Sequence, residues 1–409
     1  MPSEALHGIR IVDLSRILAA PFATQLLADL GADVIKIERP GTGDDARQYG
    51  PPFLEDSDGN ALEDAGFYLS CNRNKRSVTI DYSKPEGAAI IRALIGEADV
   101  LVENFRTGVL AKYGLDYASL RELNPRLVYC SVTGYGQDGP YASRPGYDGV
   151  FQAMCGMMSV SGLPDGVPGG GPMKVGVSMV DILTGLYSAN AIQAALRHRD
   201  QSSEGQHIDM ALLDCGLAAL SHYAQNYLIS GVVPERRGNG GFGGIPSQTF
   251  RCADREIFIV ASTNRQFAAL CSVLGEADLA ADPRFRNVPD RISNRDALLG
   301  VLDAIFATRP VAGWLPALEA ADVPASPVND MPGVFANPQV IHREMLQHVH
   351  HHGAGDSVPI LRNPIRLSAA PIETYRAPPS LGEHTREVLA DMLGYDASRI
   401  AGLRSAGVI

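Results

Sequence analysis

The sequence predicts an α/β protein: a parallel sheet with helices on both faces, followed by a smaller domain of different pattern. Three observations lead there. Up to residue 133, β-rich apolar runs alternate with helical patterns; after a glycine-rich loop at 231–247 the pattern changes; and 409 residues suit two or three domains.

In the first region IRIVDL (9–14), DVIKIE (33–38), SVTIDY (77–82), DVLVEN (99–104) and RLVYCSV (126–132) read as strands, because β-branched and apolar residues crowd into short runs. PFATQLLADLG and KPEGAAIIRALIGEA read as helices between them. In such βαβ units the ligand is expected at the carboxyl ends of the strands. From Thr133 to Pro172 glycine and proline are too dense for regular structure. A helix follows over about 182–199, headed by Asp181 and closing on Arg197, His198 and Arg199, cations suited to a helix C-terminus. A second long helix, about 209–229, reads as a connector. One or two strands in TFRCADREIFIVAS and several helices come next, and from about Asn329 the chain returns to the first domain. The expected division is 1–200 with 330–409 as a large domain, 201–229 as a linker helix and 230–329 as a small α+β domain.

Composition narrows the function. A formal net charge of -11 argues against nucleic acid and anionic membranes as partners, since both need basic surface. No apolar stretch nears the roughly 20 residues of a membrane span, and MPSEALHGIRIVDL lacks the basic start and long apolar core of a signal peptide. The expected compartment is therefore the cytoplasm. The six cysteines are scattered and form no CxxC pair, which points to neither a disulfide framework nor a zinc site.

Asp181 stands alone among small and apolar side chains in VGVSMVDILTG. As an N-cap it would accept hydrogen bonds from the first N–H groups of its helix. As a carboxylate kept ionised by the helix dipole it would serve as a nucleophile, and one residue can do both. GxxxxGK[ST] is absent, and IRIVDL is followed by SRILAAP rather than GxGxxG, so P-loop and dinucleotide chemistry are disfavoured. GNGGFGG (238–244) is a linker turn or a close-approach loop. NRNKR (72–76) reads as a solvated face or, with Arg39, Lys75 and Arg76 at strand ends, as a cradle for a phosphate-rich ligand. The histidines of HVHHH (348–352) alternate faces if they lie in a strand, and no carboxylate or cysteine stands at ligand spacing, so no metal is expected.

In this order, GADVIKIERPGTGDDAR (31–47), NRNKRSVTID (72–81), ENFRTG (103–108), LNPRLVYCSVTGYGQDGPYASRPGYD (123–148), VDILTG (180–185) and GNGG (238–241) resemble the class III CoA-transferase family, nearly end to end. That family includes formyl-CoA:oxalate CoA-transferase, carnitine CoA-transferase and α-methylacyl-CoA racemase. The resemblance implies a Rossmann-like large domain built from both chain ends, an inserted small domain, and a homodimer of interlocked chains. It implies that Asp181 attacks an acyl-CoA thioester, passing through an aspartyl anhydride and an aspartyl-CoA thioester. Gly240 and Gly241, with Gly243 and Gly244, match the glycine loop over that aspartate, where backbone N–H groups would meet developing oxyanions. Arg39, Lys75, Asn104, Phe105 and Lys112 fall at CoA-contacting positions. CoA thioesters are then substrates, with no permanently bound cofactor.

Two departures shape the substrate expectation. Arg16 and Leu18 stand where the formyl-CoA enzyme has a His and a Gln, which disfavours an oxalate site. Tyr147 replaces the histidine of the racemases' GHD motif and is a poor proton shuttle at neutral pH. The resemblance in GYDGVFQAMCGMMSVSGLPDG followed by GPMKVGVSMVDILTGLY implies succinyl-CoA as donor and itaconate, mesaconate or hydroxymethylglutarate as acceptor; Arg16, as a fixed cation near the nucleophile, would pair bidentately with the distal carboxylate of such an acceptor. A racemase on the same scaffold, an oxalate-type transferase, a non-catalytic CoA-binding protein and a nicotinamide dehydrogenase are the alternatives.

Overall fold

The computed structural model describes residues 4–241 and 243–409, the side chains of residues 355 and 356 excepted; Phe242 of GNGGFGG lies outside them. The chain divides into two units. One holds the residues up to Met157, Val175–Val232 and Gln339–Ile409; the other holds Met158–Lys174 and Val233–Pro338.

In the first unit the strands are β1 (Arg10–Asp13), β2 (Asp33–Glu38), a hairpin of β3 (Phe53–Glu55) and β4 (Ala61–Ala65), then β5 (Arg76–Thr79), β6 (Val100–Glu103), β7 (Val128–Thr133) and β8 (Gln206–Ala211). All but the hairpin form one parallel sheet in the order β5-β2-β1-β6-β7-β8. This is the doubly wound order, with its switch point between β1 and β6. Alternate residues serve opposite faces. Ile11, Val34, Val100 and Val128 pack with the helices Ala19–Asp29 and Met179–Ser202, whereas Val12, Ile35, Leu101 and Tyr129 pack with Pro85–Gly96, Thr385–Leu393 and Ala397–Ser405. Each fully buried Ile, Leu or Val contributes about 1.5–3 kcal/mol, so these two layers hold the sheet.

Three expectations need correction. The helix expected over 209–229 is instead β8 followed by two helices, Leu212–Ala219 and His222–Ser230, broken where Ser221 takes φ 45°. QHIDMA reads poorly as a strand because it is an edge: most of it is only half-buried, and polar His207 and Asp209 are tolerated there. Within the loop expected from 133 to 172, two short helices form, Asp148–Met154 and Met157–Val160. The helix of Asp181 starts earlier than expected, at Met179.

All of HVHHH but His352 lies in β12 (Leu346–His351) of a hairpin with β13 (Gly355–Leu361), which follow three strands of the other unit given below. His348, His350 and His352 are exposed and His351 is buried, 3.7 Å from Asp64. Among the described residues no group of three or more His, Cys, Asp or Glu side chains could hold a metal ion.

The second unit has an antiparallel sheet of β9 (Ser247–Arg251), β10 (Glu256–Val260) and β11 (Ala325–Pro327), in the order β11-β10-β9. Phe250, Ile257, Ile259, Phe267, Phe306 and Trp314 form its core. Thr263 and Gln266 close a reciprocal cap on the helix Asn264–Leu274. Residues 158–174 belong here through Gly238, whose N–H donates to the Gly162 carbonyl at 2.9 Å, and through Arg236, which donates to the Ser159 carbonyl. Among the described residues no single helix is long and apolar enough to cross a membrane.

Candidate active site

At the switch point of the first unit a cleft of about 280 Å³ opens, lined by residues 16–19 after β1, 104–107 after β6, Thr133 at the end of β7 and Gly134 after it, and by Tyr147 and Asp181. The structure thus brings together Arg16, Asn104, Phe105, Tyr147 and Asp181, which lie up to 165 positions apart in the chain.

Asp181 occupies the first helical turn and is not the N-cap; that position is Ser178, which makes no side-chain cap bond. The capping is done from outside by Asp148, whose Oδ1 accepts the N–H groups of Val180 at 2.8 Å and Asp181 at 3.2 Å. Asp148 is buried, and its Oδ2 accepts from Gln152 Nε2 at 2.6 Å. Among the described residues no hydrogen bond or ion pair engages the Asp181 carboxyl. Burial, and then the neighbouring Asp148 charge, push it up to about 7. A carboxylate so deprived of water is a stronger base and nucleophile than a free one.

Arg16 is fastened at its backbone. Its N–H donates to Asn104 Oδ1 at 2.9 Å, and Asn104 Nδ2 donates to its carbonyl at 2.7 Å. Its guanidinium lies over the Phe105 ring, 5.1 Å from the centroid, and pairs with Asp45 at 3.0 Å on the surface. Asn104, expected at CoA, therefore spends both ends of its amide tying the loop after β1 to the loop after β6. A second, smaller cleft alongside brings Arg39 together with Arg16, Phe105 and Tyr82. Arg39 and Lys112 are exposed; Lys112, on the short turn Leu110–Tyr113, lines neither cleft.

Lys75 and Arg76 are both paired to carboxylates within the protein. Lys75 has no exposed side-chain surface; its ammonium pairs with Asp13 at 3.1 Å and donates to the Pro21 carbonyl and Asn72 Oδ1, both at 2.9 Å. Arg76 is held by Asp33 at 2.6 Å and Glu387 at 3.1 Å. NRNKR is not a solvated face: residues 72–75 are buried and the segment stitches the core, with Arg73 paired to buried Asp29. The reason is local geometry, since the segment enters β5 under the Ala19–Asp29 helix and its cations meet carboxylates that the sequence scatters elsewhere.

The glycine loop also differs from expectation. In the second unit the Gly240 N–H donates to the Arg237 carbonyl at 2.9 Å and that of Gly241 to the Ser247 carbonyl at 2.7 Å. Neither N–H is free for an oxyanion in this arrangement. Among the described residues, no hydrogen bond engages the N–H of Gly243 or Gly244.

Sequence reasoning missed Asp148, Arg106 and Arg144. The last two line the Asp181 cleft, and Arg144 stacks on Tyr141 at 3.7 Å. Their only signal was basic and acidic residues inside ENFRTG and SRPGYD. It also missed Glu103, at the end of β6, whose carboxyl burial pushes up to about 7 and which opens on a neighbouring cavity with Ser131 and His207.

Fold and cleft together are those of a doubly wound α/β enzyme with a carboxylate at its switch point. The chain matches CoA-transferase family III over residues 6–385 and belongs to that family: it is a class III CoA-transferase. It is 46% identical over 387 residues to succinate--glutarate CoA-transferase of Agrobacterium fabrum, covering 95% of each chain. It is 40% identical over 406 residues to human succinyl-CoA:glutarate CoA-transferase, covering 99% of this chain and 90% of that one. Among solved structures, a CAIB/BAIF family protein from Brucella suis superposes with a TM-score of 0.86 at 44% identity, covering 95% of this chain and 99% of that one.

Proposed function

We propose that this enzyme moves CoA from succinyl-CoA to a dicarboxylate acceptor, with Asp181 as nucleophile. The observation that carries the reading is a half-buried carboxylate, raised to about 7, in a cleft that also holds Arg16, Arg106 and Arg144. Asp181 attacks the thioester carbonyl; a C–O bond forms, the C–S bond breaks, and CoA thiolate leaves an aspartyl succinyl anhydride. The thiolate then attacks the aspartyl carbonyl, releasing succinate and leaving an aspartyl-CoA thioester. The acceptor carboxylate attacks that thioester to give a second anhydride, and the thiolate collects the acceptor's acyl group, freeing Asp181. Activation is kept throughout, so no ATP is consumed.

The relatives named above favour glutarate over the itaconate, mesaconate or hydroxymethylglutarate acceptors inferred from sequence. Arg16 is the candidate for the distal carboxylate, because its surface pair with Asp45 is the kind worth little and easily exchanged. A homodimer is supported by the helix His222–Ser230, which buries none of its residues and leaves Leu228 75% and Ile229 76% exposed. Six free, buried cysteines fit a reducing compartment such as the cytoplasm.

The test is intact-protein mass spectrometry after mixing with succinyl-CoA and trapping with hydroxylamine or borohydride, alongside Asp181→Ala. An adduct at Asp181 that the variant lacks is the expected result. No adduct in the wild type, with deuterium exchange at the substrate α-carbon instead, would move the enzyme to the racemase reading.

A further inference from the structure

The turn Ser15–Ile17, which carries Arg16 into the cleft, has no regular hydrogen-bond ladder, yet its backbone polar groups find partners on side chains from elsewhere. The Ser15 N–H donates to Asp13 Oδ1 at 2.9 Å, and the Ser15 carbonyl accepts from Lys36 Nζ at 2.9 Å. Asn104 takes both polar groups of the Arg16 backbone, as described above. The Ile17 N–H donates to Asp44 Oδ1 at 3.0 Å, and the Ile17 carbonyl meets the Cys71 thiol at 3.4 Å. Ile17 has φ 71°, a conformation that a β-branched residue adopts only when its surroundings impose it.

Among the groups that hold it is a buried ion pair. Lys36 and Asp44 have no exposed side-chain surface and lie 2.8 Å apart. Burial opposes the Asp44 charge, but the Lys36 ammonium and two backbone N–H groups hold its carboxyl below the usual range. One partner grips Ser15 and the other grips Ile17, so the pair spans the turn on either side of Arg16. The next residue, Asp45, pairs with the Arg16 guanidinium itself. Burying two charges is costly unless they are well paired and hydrogen-bonded, and apolar residues would hold a core at least as well. The turn they shape supplies the reason for keeping them.

We propose that Lys36 and Asp44 are positioning residues for substrate selection: by fixing the Ser15–Ile17 turn they aim Arg16 at the distal carboxylate of a dicarboxylate substrate. This rests on the reading of the cleft given above. The pair acts through Arg16 and touches no reacting atom.

The experiment compares kcat/KM for glutarate and for pentanoate, an acceptor of equal length without the distal carboxylate, with succinyl-CoA as donor. Removing one partner alone would strand a buried charge, so the variant is the charge-balanced Lys36→Met/Asp44→Ala. Lys36→Met/Asp44→Asn, which restores an acceptor for the Ile17 N–H, is the conservative control. Expected are a fall in the glutarate preference of about tenfold or more, the value of a charge-assisted bond, with partial recovery in the control and no further fall in an Arg16→Leu background. A folded variant with unchanged preference would overturn the proposal, as would equal losses on both acceptors or a full additional loss without Arg16. If the wild type prefers pentanoate equally, the Arg16 reading fails with it. If the wild type forms no acyl-enzyme at all, the functional reading itself fails.

Discussion

Replacing Asp181 by Asn should stabilise the protein while abolishing transfer, and the gain should depend on pH in a way that reports the environment of the nucleophile. Unfolded, this carboxyl titrates at its ordinary 3.8; folded, burial and then Asp148 raise it to about 7. The folded state therefore binds the extra proton between those values, and wild-type stability falls as pH rises through that window. Below it both states carry a neutral acid, for which Asn is a close isostere, so the two proteins should be nearly equal at pH 4. The gap should widen by about 1.4 kcal/mol per pH unit up to about pH 7 and stay constant above, reaching about 4 kcal/mol as an upper bound because the side chain keeps some contact with water. Urea unfolding of both proteins from pH 4 to pH 8.5 measures it. A gap independent of pH, or one that closes as pH rises, would refute a desolvated carboxylate at this position.

Three further outcomes follow from the site. The rate of Asp181 acylation at subsaturating succinyl-CoA should climb through about pH 7 and level off above, since only the carboxylate attacks; Asp148→Asn, which keeps an acceptor for the helix N–H groups but removes the second cause of the shift, should move that limb to lower pH in stopped-flow measurements. Lys75→Met should cost about 3 kcal/mol by removing the ion-pair partner of Asp13 in the core, seen as a large loss in urea midpoint, whereas a surface CoA ligand would lower donor affinity and spare stability. Gly244→Ala should destabilise by about 1–3 kcal/mol, because its Cβ would sit 2.6 Å from the Ser262 carbonyl oxygen; in Gly240→Ala the closest clash is with the end of the Arg295 side chain, which can swing away, leaving the Arg237 carbonyl oxygen at 3.0 Å, so its melting temperature should fall less than that of Gly244→Ala.

The parallel sheet was legible in the chain because its central strands are continuous apolar runs buried on both sides. β8 was not, since an edge strand carrying His207 and Asp209 has only one side to satisfy and keeps no apolar signature. Asp181 stood out as a lone acid in an apolar run, and the structure sets it in the cleft; its expected capping duty went to Asp148, 33 positions away, a division of labour that no local pattern encodes. Lys75 shows the converse. Three cations in five residues read as a solvated face or a phosphate cradle until the fold supplies Asp13 from β1, an acid 62 positions distant that converts one of them into core. Local sequence announces where charge is; only the tertiary arrangement decides whether that charge is already spoken for.

The Ser15–Ile17 turn is gripped through its backbone N–H and carbonyl groups, and the grip asks almost nothing of the Arg16 and Ile17 side chains. It works as a mount with an interchangeable tip. A lineage, or an engineer, could exchange Arg16 for a shorter, neutral or apolar residue and meet a different acceptor with the mount unmoved, while the residues that shape the mount sit buried and beyond the reach of that change. Diversity of substrate and constancy of architecture would then be separable at a single position.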